Sequence, residues 1–263
     1  MPRPTGLNRS SHWPLAGMVW LLLTLGGCAT VVPPTGAPAT ALPSPTPPPS
    51  PAAPAPERAR GWWYACSQFN WSSDSEPDWG LDLFVADRVV RPLIAAHRDQ
   101  LPLWRVHRRA APDGAGHRFC LIFYATPQVA GQINQEWNTN PQLQRLQEGG
   151  QLRAIQLDDP TRNSRPALAD ASDPAWPAVI GNAWPYYIMG ASQMWLELIT
   201  QMRSERGSPD TTELAQQLEQ YRQLQGQISQ LWNDSGQHAF LHHLNALFGY
   251  QPVLIREQRS YRF

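Results

Sequence analysis

The spacing of apolar positions changes along this chain, and each change marks a different kind of structure. Near the start, Met18-Val19-Trp20-Leu21-Leu22-Leu23 is a short continuous apolar run, preceded by Arg3 and Arg9 and followed by Gly26 and Gly27. A charged region, a short apolar core and small residues together read as a secretory signal peptide. The run is too short to cross about 30 Å of hydrocarbon, which takes about 20 apolar residues. Residues 33–56 lose all periodicity, and 11 of those 24 residues are proline. Such a tract builds no core and favours extended polyproline II, reaching up to roughly 75 Å at about 3.1 Å per residue. It reads as a semi-rigid spacer; its other reading is a ligand for an aromatic-lined peptide groove.

Periodic patterning begins after Glu57. Trp62–Trp71 is rich in aromatics and bounded by turn residues, which predicts a strand. Residues 72–80 have loop chemistry. From Leu81 to His97 the apolar positions Leu81, Phe84, Val85, Val89 and Leu93 recur at helical spacing, with Pro92 expected to kink or restart the helix. Leu103–Arg109 and His117–Ala125 read as two strands joined through Ala111–Gly116. Thr126-Pro127 opens a helix with a hydroxyl cap and a proline at the first position. That helix carries Val129, Ile133 and Trp137, a second piece follows Pro141, and Gly149-Gly150 ends it before a fourth strand at Leu152–Leu157.

The resulting order is β-α-β-β-α-β, the ferredoxin-like arrangement, in which the first and third strands are central neighbours. Beyond Asp158 the pattern turns helical. A polar connection covers 159–175, and an apolar stretch at 184–202 predicts a buried helix. A Gln-rich amphipathic helix covers 209–233, a third helix 237–248, and an edge strand 253–256 is expected. The fold class is therefore α+β: a ferredoxin-like part at 57–158 and a mainly helical part at 159–263 packed on it.

Composition narrows the chemistry. All 21 acidic residues lie after position 56 with 19 of the 21 arginines, leaving a formal charge of −2. Near-neutrality argues against a nucleic-acid footprint and against a polybasic membrane patch. The chain has no lysine, which excludes Schiff-base lysine enzymes, P-loop nucleotide hydrolases and Ser-Lys hydrolases. Cys66 and Cys120 fall on the neighbouring first and third strands. In an exported protein such a pair is more often a disulfide than a metal or redox site, two buried thiols being the alternative.

Three constellations can carry chemistry. His238 and His242 stand at i, i+4 on a helix, the spacing at which two imidazoles reach one zinc ion. Ala239 replaces the glutamate that makes this motif a hydrolase, and Asp234, His107 or His117 would have to complete the ligand set. The second is aromatic. Ten tryptophans lie between Trp62 and Trp232; most occupy core positions, and Trp71, Trp79 and Trp176, in or beside loops, are the ones free to stack on a sugar ring. The third is basic: Arg105, His107 and Arg109 alternate on one strand face, opposite Trp104 and Val106, where they either bind an anion or simply meet solvent. No GxSxG nucleophile elbow is present.

Leu25-Gly26-Gly27-Cys28 resembles the lipobox of bacterial lipoproteins. The resemblance implies that residues 1–27 are removed, that Cys28 is diacylated, and that 28–56 tethers the domain to a membrane. Ala29, a non-acidic residue after the lipidated cysteine, by resemblance to Gram-negative sorting rules implies the outer membrane. A second resemblance, in the β-α-β-β order with Gly116-His117-Arg118-Phe119 and a late His243-Leu244-Asn245, is to the elimination domain of lantibiotic dehydratases and thiopeptide-type proteins. Phe119, Leu121 and Ala246 stand where that family has arginines, so the resemblance extends to fold and not to activity. The expected function is a lipid-anchored envelope module that binds an envelope protein or peptidoglycan without catalysis. The alternative is an envelope hydrolase, in its metal-dependent form built on the histidine pair.

Overall fold

The computed structural model describes residues 59–205 and 213–250. The signal peptide, the Cys28 lipobox, the whole linker, the start of the Gln-rich helix and the expected strand at 253–256 lie outside the described residues.

Four strands form one antiparallel sheet: β1 (Gly61–Phe69), β2 (Leu103–Ala110), β3 (His117–Ala125) and β4 (Leu152–Leu157). Their order across the sheet is β2-β3-β1-β4. The first and third strands are therefore adjacent, as the sequence pattern expects. Cys66 pairs directly with Cys120 in the ladder, and the two are joined by a disulfide. The bond closes a separation of 54 residues, worth about 4 kcal/mol as lost freedom of the unfolded chain.

Strand alternation gives the sheet two different faces. Trp63, Ala65 and Phe69 of β1 lie with Phe119, Leu121 and Phe123 of β3 on the apolar face, all buried. On that face lies a helix that runs from α1 (Trp79–Val85) through a π-helical turn at Ala86–Val90 into α2 (Arg91–Ala96). The sequence pattern starts this helix at Leu81. The Asp78 carboxylate, accepting from Gly80 N, starts it two residues earlier and carries Trp79 out of the loop. Pro92 is the second residue of α2, at the point where the π-helical turn returns to α-helix. The helices α3 (Pro127–Asn138) and α4 (Pro141–Glu148) begin with side-chain caps from Thr126 and Asn140 and bury Ile133, Trp137, Leu143 and Leu146.

The helical half adds α5 (Ala178–Glu205) and α6 (Leu214–Leu231), a π-helical stretch at Trp232–Leu241, and α7 (His242–Leu247). Leu218, Tyr221, Leu224 and Ile228 of α6 join the core above α1. The two helices approach so closely that a Cβ on Gly80 would lie 2.8 Å from Arg222 N. Asp87, in the π turn, is buried and accepts from Tyr221 while pairing with Arg91 and Arg203, which ties α2, α5 and α6 together. Burial raises its pKa, but the Tyr221 hydroxyl and the two arginines outweigh that and hold the carboxyl below its ordinary range.

Two expectations about the helical half need correction. The stretch 184–202 is not a wholly buried helix. It begins at Ala178, buries chiefly Gly181, Pro185, Ser192, Leu196 and Ile199, and leaves Tyr186 and Tyr187 exposed. The predicted break between 233 and 237 is also absent, because π-helical turns carry the chain through Ser235-Gly236 into α7. No described helix is long and apolar enough to cross a membrane.

Candidate functional site

The connection after β4 folds back over the second sheet face. Trp62 donates its backbone N–H to Arg165 O and its indole N–H to Leu168 O, and the Tyr124 hydroxyl donates to Pro166 O. From there the chain reaches a 3-10 turn at Leu168–Ala171 and enters α5, which runs beside β2, the outer strand. Ser192 of α5 accepts from Val106 N at 3.2 Å and donates to Ile188 O, so a helix hydroxyl occupies part of the strand's free edge.

Between β2 and α5 lies an open groove of about 630 Å³. Arg105, His107 and Arg108 line its strand side, while Trp176, Trp184 and Trp195 line the other. Trp176 and Trp184 meet edge to face, with ring centroids 5.0 Å apart and planes at 71°. Trp176 is 37% exposed, leaving ring surface free. Asp173 at the rim is the acidic residue of the lining, and its Oδ1 accepts from Ala175 N.

Arg105 and Arg108 face opposite sides of the strand. Arg108 donates from Nε to Asp82 at 3.1 Å and from Nη2 to Gln225 at 3.0 Å and to Trp79 O at 3.2 Å. Its guanidinium sits 5.0 Å from the Trp79 ring centroid and 4.9 Å from that of Trp195. Asp82, 0% exposed, also faces Nε2 of His117 at 3.2 Å. Burial pulls the Arg108 pKa below its ordinary value, and Asp82 opposes that pull.

Arg105 has no such shell. Among the described residues it makes no hydrogen bond and no ion pair, and its Nε is buried without an acceptor. Burial alone pulls its pKa down. His107 is held below its ordinary pKa by burial and by the positive charges of Arg105, Arg109 and Arg118, so it is neutral at pH 7. Arg109 pairs with Asp113 in the β2–β3 turn, and Arg118 donates to Gln156. The arrangement offers a fixed cation beside apolar ring faces, a setting for an anion carried on a flat, partly apolar body.

Arg108 and Trp195 also line a second, more apolar cavity of about 510 Å³, closed by Met194, Leu198, Trp232 and Phe240. It joins α5 to the π-helical stretch.

The fold thus brings Arg105, His107 and Trp176 together in one groove. Arg109 faces the same side but lies outside the groove lining. Trp71 stays in its loop and donates to Ser75 O. Trp79 is not a free loop ring: it heads α1 and lies against Arg108 and, edge-on at 5.1 Å, against His117. His238 and His242 do lie near each other, edge to face with centroids 5.0 Å apart. Among the described residues, however, no group of three or more His, Cys, Asp or Glu is placed to hold a metal. His117, considered as a third ligand, is instead buried against Asp82.

Sequence reasoning singled out neither Arg108, Asp82, Trp184 nor Trp195 for the site. One signal was available: Arg108 breaks the apolar alternation that Trp104 and Val106 begin, and Asp82 interrupts an apolar helix face. Charges at core positions come in pairs when buried. The Trp184 and Trp195 contributions needed the position of α5 over β2, which no local pattern encodes.

Comparison with known proteins finds no matching family model, no matching curated protein and no matching solved structure.

Proposed function

We propose that this chain is a lipid-anchored cell-envelope protein acting as a non-catalytic binding or assembly module. In this reading residues 1–27 are a cleaved signal peptide, Cys28 carries the lipid, and the proline tract lifts a ferredoxin-like sheet with its helical layer away from the outer membrane. The strand order and the disulfide between neighbouring central strands agree with that topology and with an oxidising compartment. The observation that carries the binding reading is the groove between β2 and α5, which Arg105, without a hydrogen-bond partner among the described residues, lines together with Trp176 and Trp184. The partner is an envelope component, either a protein or peptidoglycan.

Full-length protein in detergent, sedimented with purified cell envelopes, tests the module. Wild type is expected in the pellet, and the Trp176→Ala variant at least tenfold less so; equal retention would refute the groove. Cys28→Ala is expected to move the protein from the detergent phase to the aqueous phase, and continued partitioning into detergent refutes the anchor.

The alternative, a metal-dependent envelope hydrolase, rests on the proximity of His238 and His242. Stoichiometric zinc in the purified protein would favour it.

A further inference from the structure

A groove that holds an unpaired cation is selective for what it can accept. Arg105 presents Nη donors beside a buried Nε that has no acceptor. The other cation of the groove lining, Arg108, is paired with Asp82; Arg109, paired with Asp113, and Arg118, which donates to the neutral Gln156, lie outside the lining. His107 adds no charge at pH 7. Among the described residues the groove lining therefore offers one uncompensated positive charge, which matches a monoanion better than a phosphate dianion. Guanidinium is planar and presents paired N–H groups in the geometry of a carboxylate. Asp173, whose Oδ1 is held by Ala175 N, stands at the rim and disfavours extra negative charge there.

The opposite wall sets the shape of the rest. Trp176 and Trp184 pack edge to face at 71°, with Trp176 37% exposed, and exposed aromatic surface packs against the C–H faces of sugar rings. The volume, about 630 Å³, falls in the range that holds small ligands, about 300–1,000 Å³. Ser192, at the floor, has its hydroxyl engaged by Val106 N and Ile188 O, so the floor presents little free polarity. We infer that the groove binds a carboxylate-bearing sugar ring, with the carboxylate on Arg105 and the ring against Trp176 and Trp184. The inference rests on the binding-module reading and names its ligand class.

Tryptophan fluorescence of the full-length protein in detergent, titrated at pH 7.5, provides the test. Three probes share a ring: N-acetylmuramic acid with its lactyl carboxylate, neutral N-acetylglucosamine, and N-acetylglucosamine 6-phosphate. The carboxylated sugar is expected to bind at least tenfold more tightly than either of the others. Arg105→Gln is expected to abolish that preference and leave the affinity for the neutral sugar unchanged. Trp176→Ala is expected to weaken the carboxylated and neutral sugars alike. Equal affinity for all three probes, tighter binding of the phosphate, or an intact preference in Arg105→Gln overturns the inference. An unchanged melting temperature in Arg105→Gln shows that a lost preference is not a lost fold. If the sugars fail while Trp176-dependent envelope retention persists, the ligand class is wrong and the module stands. If both fail, the module falls with it.

Discussion

On the apolar face of β2 the Arg108 guanidinium bonds to Asp82, Gln225 and the Trp79 carbonyl, and lies between two indole rings. Three residues earlier, on the other face, Arg105 is largely enclosed and bonds to nothing among the described residues. The strand and residue type are the same, yet the surroundings differ completely. A charge paired with a buried carboxylate belongs to the architecture, because removing either partner strands the other. A half-buried charge with none answered contributes little to holding the fold and remains available to something outside it.

Breaking the answered side should have the largest effect. Asp82→Ala leaves both Arg108 and His117 without their carboxylate, and a lost partner in a buried pair costs about 3–5 kcal/mol. Thermal unfolding of the full-length protein should show a midpoint lower by roughly 10 °C or more. A drop of only a degree or two would mean that Arg108 does not depend on this carboxylate. On the unanswered side, Arg105→Met should leave the midpoint unchanged or raise it, since it removes a desolvated charge without breaking a contact. A loss above about 1 kcal/mol would reveal a partner for Arg105 and erase the contrast between the faces.

The smallest effect concerns pH. His107 has its folded-state pKa lowered by burial and then by Arg105, Arg109 and Arg118. Between that lowered value and about 6.5 the unfolded chain binds more protons than the folded one. The contribution of His107 is therefore complete above about pH 6.5 and is lost as pH falls from there toward the folded pKa. His107→Gln should flatten the fall in stability between pH 7 and pH 5. An unchanged slope would show that neither its enclosure nor its arginine neighbours shift the histidine.

The strands were legible because their signals are local. Turn residues bracket each one, and Trp104, Val106, His107 and Arg109 alternate as a half-buried strand does. Thr126-Pro127 announced α3 for the same reason. The far end of the chain was harder to read. The stretch 184–202 is apolar on most sides, which suggested burial, yet Tyr186 and Tyr187 face outward and its Trp184 and Trp195 positions line cavities. Apolar content alone does not distinguish a core helix from one that walls a groove. The pattern separates helices at 209–233 and 237–248, whereas widening to π-helical turns carries the chain through that gap with Gly236 buried against Trp232. Of the site, Arg105, His107 and Trp176 could be named in advance. Their meeting depends on the return of α5 across β2, and the Asp82–His117 contact spans 35 residues. Contacts of that kind are written in the tertiary arrangement rather than in any local pattern.

The disulfide also acts as a check on pairing. A slip of one residue between β1 and β3 would send the two sulfurs to opposite faces of the sheet. A slip of two would place the cysteines at about 7–8 Å, at or beyond the reach of a bond, which closes up to about 7 Å. Only the alignment that sets Cys66 opposite Cys120 can be oxidised. That same alignment sends Arg118 and, through the β2–β3 ladder, Arg105 and His107 to the second face. Oxidation thus proofreads the sheet, and a chain that has formed the bond has already chosen the side on which its free cation emerges.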